Sequence, residues 1–370
     1  VSSFQKNHAG TELHPGKRDG TFGPDLIESV LDPAVPDFWY AMAEPPDRGR
    51  EKWSNKMMKG AVVRDLDGDG KPDIITGAYA DRGFQEGGRR GYGMQWVEQQ
   101  DRGLFILHNR SRPGHIRFAE VAKKAVGGHA YGKTVGDWNV YSVVPIDYDR
   151  DGDFDLFAGA TIRSTGKGRL EDTVAARFFE NRSEPGTIRF VDRTREAGFS
   201  YLNEPPPDVR GERRLAAGQA IDYDNDGWPD LVIANRQNPD KTRYPYAHLY
   251  RNLGNGSFQE VPYEQHGLGD GSGGRDLVCG DLNNDGLIDV VLNAGTVGGF
   301  RGTDDSRVYQ NQIVNSNHWI KLDMTENTEG TPLVDQGELT RSFHTERFGQ
   351  FSDLGSQIRR VVDLGILLRD

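Results

Sequence analysis

The sequence predicts an all-β chain arranged as a β-propeller of four-stranded antiparallel blades. Three observations carry this reading: an acidic, glycine-containing turn pattern occurs four times, short β-rich apolar runs flank each copy, and the composition suits turns better than long helices. The 370 residues include 47 Gly and 18 Pro, 35% are hydrophobic, and the mean hydropathy is −0.69. Glycine at roughly twice its ordinary share fits short strands joined by many turns. A chain of this length exceeds one hydrophobic core and reads as several domains or a repeat array.

The four copies are DLDGDGKPD from Asp65, DYDRDGDFD from Asp147, DYDNDGWPD from Asp222 and DLNNDGLID from Asp281. Positions 1, 3, 5 and 9 carry oxygen side chains throughout. They are Asp65, Asp67, Asp69 and Asp73; Asp147, Asp149, Asp151 and Asp155; Asp222, Asp224, Asp226 and Asp230; Asp281, Asn283, Asp285 and Asp289. Position 6 is always glycine: Gly70, Gly152, Gly227 and Gly286. Calcium takes six to eight oxygens, and a loop that turns sharply at glycine can gather them. The main-chain carbonyl of position 7, at Lys71, Asp153, Trp228 and Leu287, extends each ligand set. About four Ca2+ ions are therefore expected. A single Asp-Gly cluster reads equally as a solvated turn, whereas four copies in register favour the metal. Crowded carboxylates repel one another, so metal binding is expected to be coupled to folding. Four ions would bring the formal charge from −11 to about −3. The loop from Asp281, with Asn283 in place of a carboxylate, is expected to be the weakest site.

The nearest alternative is the EF-hand, whose loop closes with Glu at position 12 between two helices. Position 12 here is Thr76, Ala158, Ile233 and Leu292, so that reading fails. The flanks point to strands instead. Ala61 to Val63, Val143 to Ile146 and Leu277-Val278 precede loops; Ile74-Ile75, Leu156-Phe157, Leu231 to Ile233 and Val290 to Leu292 follow them. A second signal comes after each loop, in LHNRSRPGHIRF, FENRSEPGTIRF, YRNLGNGSF and YQNQIVNSNHW. These share Asn109, Asn181, Asn252 and Asn311, followed by Phe118, Phe190, Phe258 and Trp319. Each reads as strand, turn and strand, which makes one unit two hairpins, a four-stranded sheet. Such a sheet cannot bury both faces alone, and radial stacking solves this.

These residues resemble the FG-GAP or VCBS repeats of integrin-type β-propellers, to which YRNLGNGSF with DYDNDGWPDLVIAN is similar. Together with Asn317 to Leu322 and Gly355 to Ile358, they resemble the ASPIC/UnbV group of cartilage acidic protein relatives. The resemblance implies that the strand before each loop is innermost, that the metal loops share one face, and that the remaining connections form the opposite face. It also implies five to seven blades, four of them with calcium loops. Residues 1–59 would form a metal-free blade or part of one, with strands at Leu26 to Leu31 and Phe38 to Tyr40. Residues 60–325 would hold the four repeat blades, and 326–370 an ASPIC/UnbV-like segment that could complete the ring.

Several classes are disfavoured. With Lys+Arg 45 against Asp+Glu 56, the chain has no excess of base for a nucleic-acid surface. No apolar run approaches the roughly 20 residues that span a bilayer. No apolar signal core follows Val1, and the N-terminus does not decide localisation. Cys279 is the one cysteine, which excludes an intrachain disulfide and a cysteine zinc site; its apolar neighbours predict a buried, inert thiol.

The connections expected opposite the metals, Gly77 to Gly103, Glu120 to Asn139, Gly159 to Thr173, Thr194 to Leu215, Asn235 to Ala247 and Asn293 to Ser306, are long enough to carry function. Candidate ligand contacts are Arg89, Arg90, Tyr92, Trp96, Trp138, Arg243, Tyr244 and Arg275, a set suited to a protein or an anionic carbohydrate. His129, Tyr131 and Lys133 are acid or base candidates for an enzyme, by analogy with polysaccharide lyases on propeller scaffolds. No nucleophile elbow, P-loop or zinc-protease motif is present. The function expected is a secreted, extracellular or periplasmic recognition, adhesion or structural module with structural calcium. A lyase-like enzyme and a subunit of a larger extracellular assembly, in which the chain could oligomerise, stay open.

Overall fold

The computed structural model describes residues 16–17, 20–23, 56–80, 103–127, 140–164, 170–172, 176–203, 212–235, 247–268, 274, 276–293 and 306–314. Strands β1 (Lys56–Arg64), β2 (Asp73–Ala80), β3 (Gly103–Asn109) and β4 (Phe118–Glu120) form the first sheet, paired in that order. The second contains β5 (Val140–Ile146), β6 (Asp155–Ser164), β8 (Ala176–Asn181) and β9 (Phe190–Asp192), with β7 (Leu170–Asp172) beside the end of β6. The third contains β10 (Glu212–Ile221), β11 (Asp230–Asn235), β12 (Ala247–Asn252) and β13 (Phe258–Val261). The fourth, among the described residues, is β14 (Asp276–Gly280), β15 (Asp289–Asn293) and β16 (Arg307–Tyr309). All pairing is antiparallel, as the two-hairpin unit predicts.

Each acidic loop closes the first hairpin of its sheet. The flanking pairs are Arg64 with Asp73, Ile146 with Asp155, Ile221 with Asp230 and Gly280 with Asp289. The second hairpin closes between Asn109 and Phe118, Asn181 and Phe190, and Asn252 and Phe258. Strands on both sides of the loop remove the EF-hand geometry. Apart from one-turn helices at Ala122–Ala125 and Tyr263–His266 and a short 3-10 turn at Ser200–Asn203, the described structure is β or irregular.

The sheets stack face to face. The first strands of successive sheets are neighbours, β1 with β5, β5 with β10, and β10 with β14. Leu66, Ile75, Ile106, Val140, Leu156 and Phe179 form a core between the first two sheets. Phe157, Phe178, Phe199, Leu215, Leu231 and Tyr250 fill the next interface, and Val232, Leu249, Leu277, Val290 and Leu292 the third. The second and third sheets thus bury both faces against their neighbours, the arrangement expected of radial repeats.

Backbones approach closely where glycine permits it. A Cβ on Gly159 would lie 2.3 Å from Ser142 Oγ and 2.8 Å from Leu215 Cβ, where Ser142 Oγ also donates to the Leu215 carbonyl at 3.0 Å. Gly159→Val is expected to cost about 1–3 kcal/mol by overpacking, read as a lower urea midpoint; an unchanged midpoint would show that this contact is loose.

The structure alters one expectation. Gly159 to Thr173 and Thr194 to Leu215 read as long loops in the sequence, yet β6 and β10 extend into them and pair with each other, Thr161–Arg163 against Glu212–Arg214. Sheets two and three are therefore joined by main-chain hydrogen bonds. A strand that outruns its own sheet leaves unpaired backbone groups, and two such neighbours satisfy one another.

Candidate metal centre

The turn is set by backbone conformation. Position 6 is left-handed in every loop, at Gly70, Gly152, Gly227 and Gly286 with φ between 83° and 97°. Position 4 is left-handed as well, at Gly68, Arg150, Asn225 and Asn284. Two such residues in one turn fold the chain so that its carboxylates converge. Position 1 accepts the N–H of position 6: Gly70 to Asp65 at 2.8 Å, Gly152 to Asp147 at 3.4 Å, Gly227 to Asp222 at 2.9 Å and Gly286 to Asp281 at 3.0 Å. Position 5 accepts the N–H of position 7 in all four loops.

Position 9 has a second task. Asp73, Asp155, Asp230 and Asp289 are almost wholly buried. One oxygen of each accepts the N–H of position 2, from Leu66, Tyr148, Tyr223 and Leu282. The other accepts the N–H of the later asparagine, from Asn109, Asn181, Asn252 and Asn311, at 2.7–2.8 Å. The asparagine amide then reaches the preceding unit. Asn181 donates to the Leu66 carbonyl, Asn252 to that of Tyr148 and Asn311 to that of Tyr223. Loop, second hairpin and neighbouring loop are bonded into one network, and this places the loops on a shared face. Two further contacts link loop to loop: the Arg150 guanidinium lies over the Trp228 ring, and the Asn225 amide donates to the Gly286 carbonyl.

Ligand oxygens of Asp65, Asp67 and Asp73, of Asp147, Asp149 and Asp151, and of Asp222, Asp224 and Asp230 lie within 4.8 Å of one another in each group. In the second loop, Oδ1 of Asp149 and Oδ1 of Asp153 are buried without a hydrogen-bond partner. Bare carboxylate oxygens away from water are costly unless a cation or donor meets them, so this donor set fits a hard divalent ion. In the fourth loop the Asn283 amide instead donates to Asp285 at 2.8 Å.

Burial, with repulsion between neighbouring carboxylates, pushes several of these acids up in the metal-free protein. Asp230 is raised to about 9 and Asp155 to about 8, chiefly by burial. Asp153 rises to about 7 through burial and the charges of Asp151 and Asp149, and burial takes Asp73 and Asp222 to about 6. A folded value above the unfolded one, about 3.9, gives stability that is complete below the unfolded value and lost as pH rises through the folded one. Metal-free protein is therefore expected to melt at progressively lower temperature from about pH 4 to pH 9. A flat or rising profile in chelator would contradict this.

The residue before each asparagine differs between units, as His108, Glu180, Arg251 and Gln310 in turn, and in the first and third units it meets carboxylates of its loop. Arg251 pairs with Asp224 at 2.9 Å and with Asp226 at 2.9 Å, placing a guanidinium against two of the expected ligands. Glu180 is buried and pairs with Arg182 and Arg193. Gln310 is exposed.

Sequence reasoning missed a polar cluster outside the loops. His248 Nδ1 lies 2.6 Å from Glu260, and the Tyr201 hydroxyl lies 2.6 Å from Glu260 and 2.7 Å from the Tyr250 hydroxyl. His248 and Tyr250 are buried while the Glu260 side chain is 33% exposed, so the cluster ties the third sheet together at the edge of its core. Tyr201 stands 49 residues from Tyr250, and the four carry no local motif. Cys279 is partly buried, and burial raises its thiol to about 12, in keeping with an inert group. His129, Tyr131, Lys133, Arg89, Arg90, Tyr92, Trp96, Trp138, Arg243, Tyr244 and Arg275 lie outside the described residues, as do the strands expected at Leu26 to Leu31 and Phe38 to Tyr40. Among the described residues no helix is long and apolar enough to cross a membrane.

Comparison with known families agrees with the repeat. A search of curated proteins finds no match to the chain. Residues 222–292, which span the third and fourth acidic loops, match the FG-GAP-like repeat family. Residues 59–92, which span the first, match the FG-GAP repeat family, so parts of the first, third and fourth units are similar to FG-GAP repeats.

Proposed function

We propose that the chain is an integrin-like β-propeller module of the ASPIC/UnbV kind, held together by calcium in its acidic loops and used for recognition or adhesion outside the cytosol. The observation that carries the metal reading is the pair of buried, unpartnered oxygens of Asp149 and Asp153 in a loop whose other carboxylates converge. A structural role for calcium is supported by position 9, whose carboxylate accepts backbone N–H groups from two hairpins besides facing the other ligands, so that the loop is part of the frame. Calcium sites of modest affinity fill in extracellular or periplasmic fluid and stay largely empty in cytosol, which supports a secreted location.

In the third loop calcium must displace Arg251 before it can use Asp224 and Asp226. Arg251→Met, which keeps an apolar stem and removes the charge, should tighten calcium binding at that loop by about tenfold, a change of about 1.4 kcal/mol. Calorimetric titration would show it, and equal affinities would remove Arg251 as a competitor.

The recognition role rests on the Arg and aromatic residues of the long connections, and the ligand expected is a protein or an acidic carbohydrate. Calcium-loaded protein should bind a soluble acidic polysaccharide such as polygalacturonate without shortening it, and Arg243→Ala should weaken the binding. Chain cleavage that His129→Ala abolishes would establish the lyase reading instead. Neither binding nor cleavage would leave the assembly role.

A further inference from the structure

The first acidic loop differs from the others in having a nitrogen donor. His108, on β3, is buried, and its Nε2 has no hydrogen-bond partner. That nitrogen faces the buried Asp67 at 3.1 Å from Oδ2, a close approach that lacks hydrogen-bond geometry. Ligand atoms of Asp67, Asp69 and His108 all lie within 4.8 Å of one another. The Asp67 carboxylate is fixed from two sides, by the Gly186 N–H on Oδ2 at 2.9 Å and the Asp69 N–H on Oδ1 at 3.2 Å. Asp69 is held by Lys71, whose ammonium lies 2.6 Å from its Oδ2 on a side chain 43% exposed and free to swing away.

Calcium is an oxygen-seeking ion and has little use for imidazole. Zinc takes imidazole nitrogen and carboxylate oxygen together, at about 2.0–2.2 Å, which sets neighbouring ligand atoms roughly 3.3 Å apart in a tetrahedral shell. The 3.1 Å between Nε2 and Oδ2 is close to that spacing. In the other units the position of His108 is taken by Glu180, Arg251 and Gln310, none of which offers such a nitrogen. We propose that Asp67, Asp69 and His108 form a binding site for a divalent ion of the zinc class, with Nε2 of His108 as nitrogen ligand and solvent in the remaining position.

The test uses the full chain stripped of metal, with zinc alone as titrant, so that it stands apart from whether the loops hold calcium. One zinc per chain should bind, and His108→Gln should weaken that binding at least about 100-fold, the upper range for loss of a supporting contact around a metal. Cobalt substituted for zinc should give a ligand-field band that the variant lacks. X-ray absorption on the zinc-loaded wild type keeps the test decisive if the variant folds poorly, because imidazole scattering is required. Absence of zinc binding, equal affinity in the folded variant, or an all-oxygen shell would overturn the proposal and leave His108 as the ion-pair partner of Asp67.

Discussion

Asp230→Ala is expected to destabilise the protein by about 2–5 kcal/mol with calcium and to remain harmful after chelation. The carboxylate accepts the N–H groups of Tyr223 at 3.1 Å and Asn252 at 2.7 Å and is fully buried. Each buried donor left unpaired costs about 1–3 kcal/mol. The Asn252 backbone would lose its anchor, and its side chain carries the bond to the Tyr148 carbonyl of the preceding unit. Asp226, at position 5, makes the informative contrast: among the described residues it bonds within its loop and to Arg251. Asp226→Ala should lower calcium stoichiometry by one, and its penalty should largely vanish in chelator. Denaturant melts of both variants, with and without chelator, separate the roles. Equal behaviour of the two would show that position 9 is only a ligand.

Phe199→Ala is expected to cost about 3–5 kcal/mol, the range for removing a buried phenylalanine. Its ring lies 5.1–5.6 Å, centroid to centroid, from those of Phe157, Phe178, Tyr250 and Phe258. These rings come from both the second and third sheets, so the cavity would open at the interface between units. Calcium stoichiometry should stay unchanged, because the rings around Phe199, those of Phe157, Phe178, Tyr250 and Phe258, belong to strands and not to the carboxylate set of a loop. A loss below 1 kcal/mol would mean that the stack does not depend on this contact.

The hairpins were legible because their information is local. An Asp-rich turn with glycine at position 6, bounded by apolar runs, specifies a strand, a tight loop and a returning strand within about twenty residues. The asparagine signal placed the second hairpin for the same reason, and Phe118, Phe190 and Phe258 begin β4, β9 and β13 as expected. What the asparagines do was not legible. Their amides bond residues 115, 104 and 88 positions away, a relation that only the stacked sheets create. The left-handed position 4 was not legible because it holds no single residue type, being Gly68, Arg150, Asn225 and Asn284. Arg251 and His108 were hidden likewise: each belongs to a strand in sequence and to a metal loop in space.

The direct test of the central claim is calcium bound per chain, measured by equilibrium dialysis with elemental analysis, together with the melting temperature before and after chelation. With zinc absent, so that calcium alone competes for the carboxylates of the first loop, about four ions and a large fall in melting temperature are expected, since each site held at 100 times its Kd contributes about 2.7 kcal/mol. No bound calcium and no shift on chelation would contradict the account, leaving four acidic turns held by their own backbone hydrogen bonds.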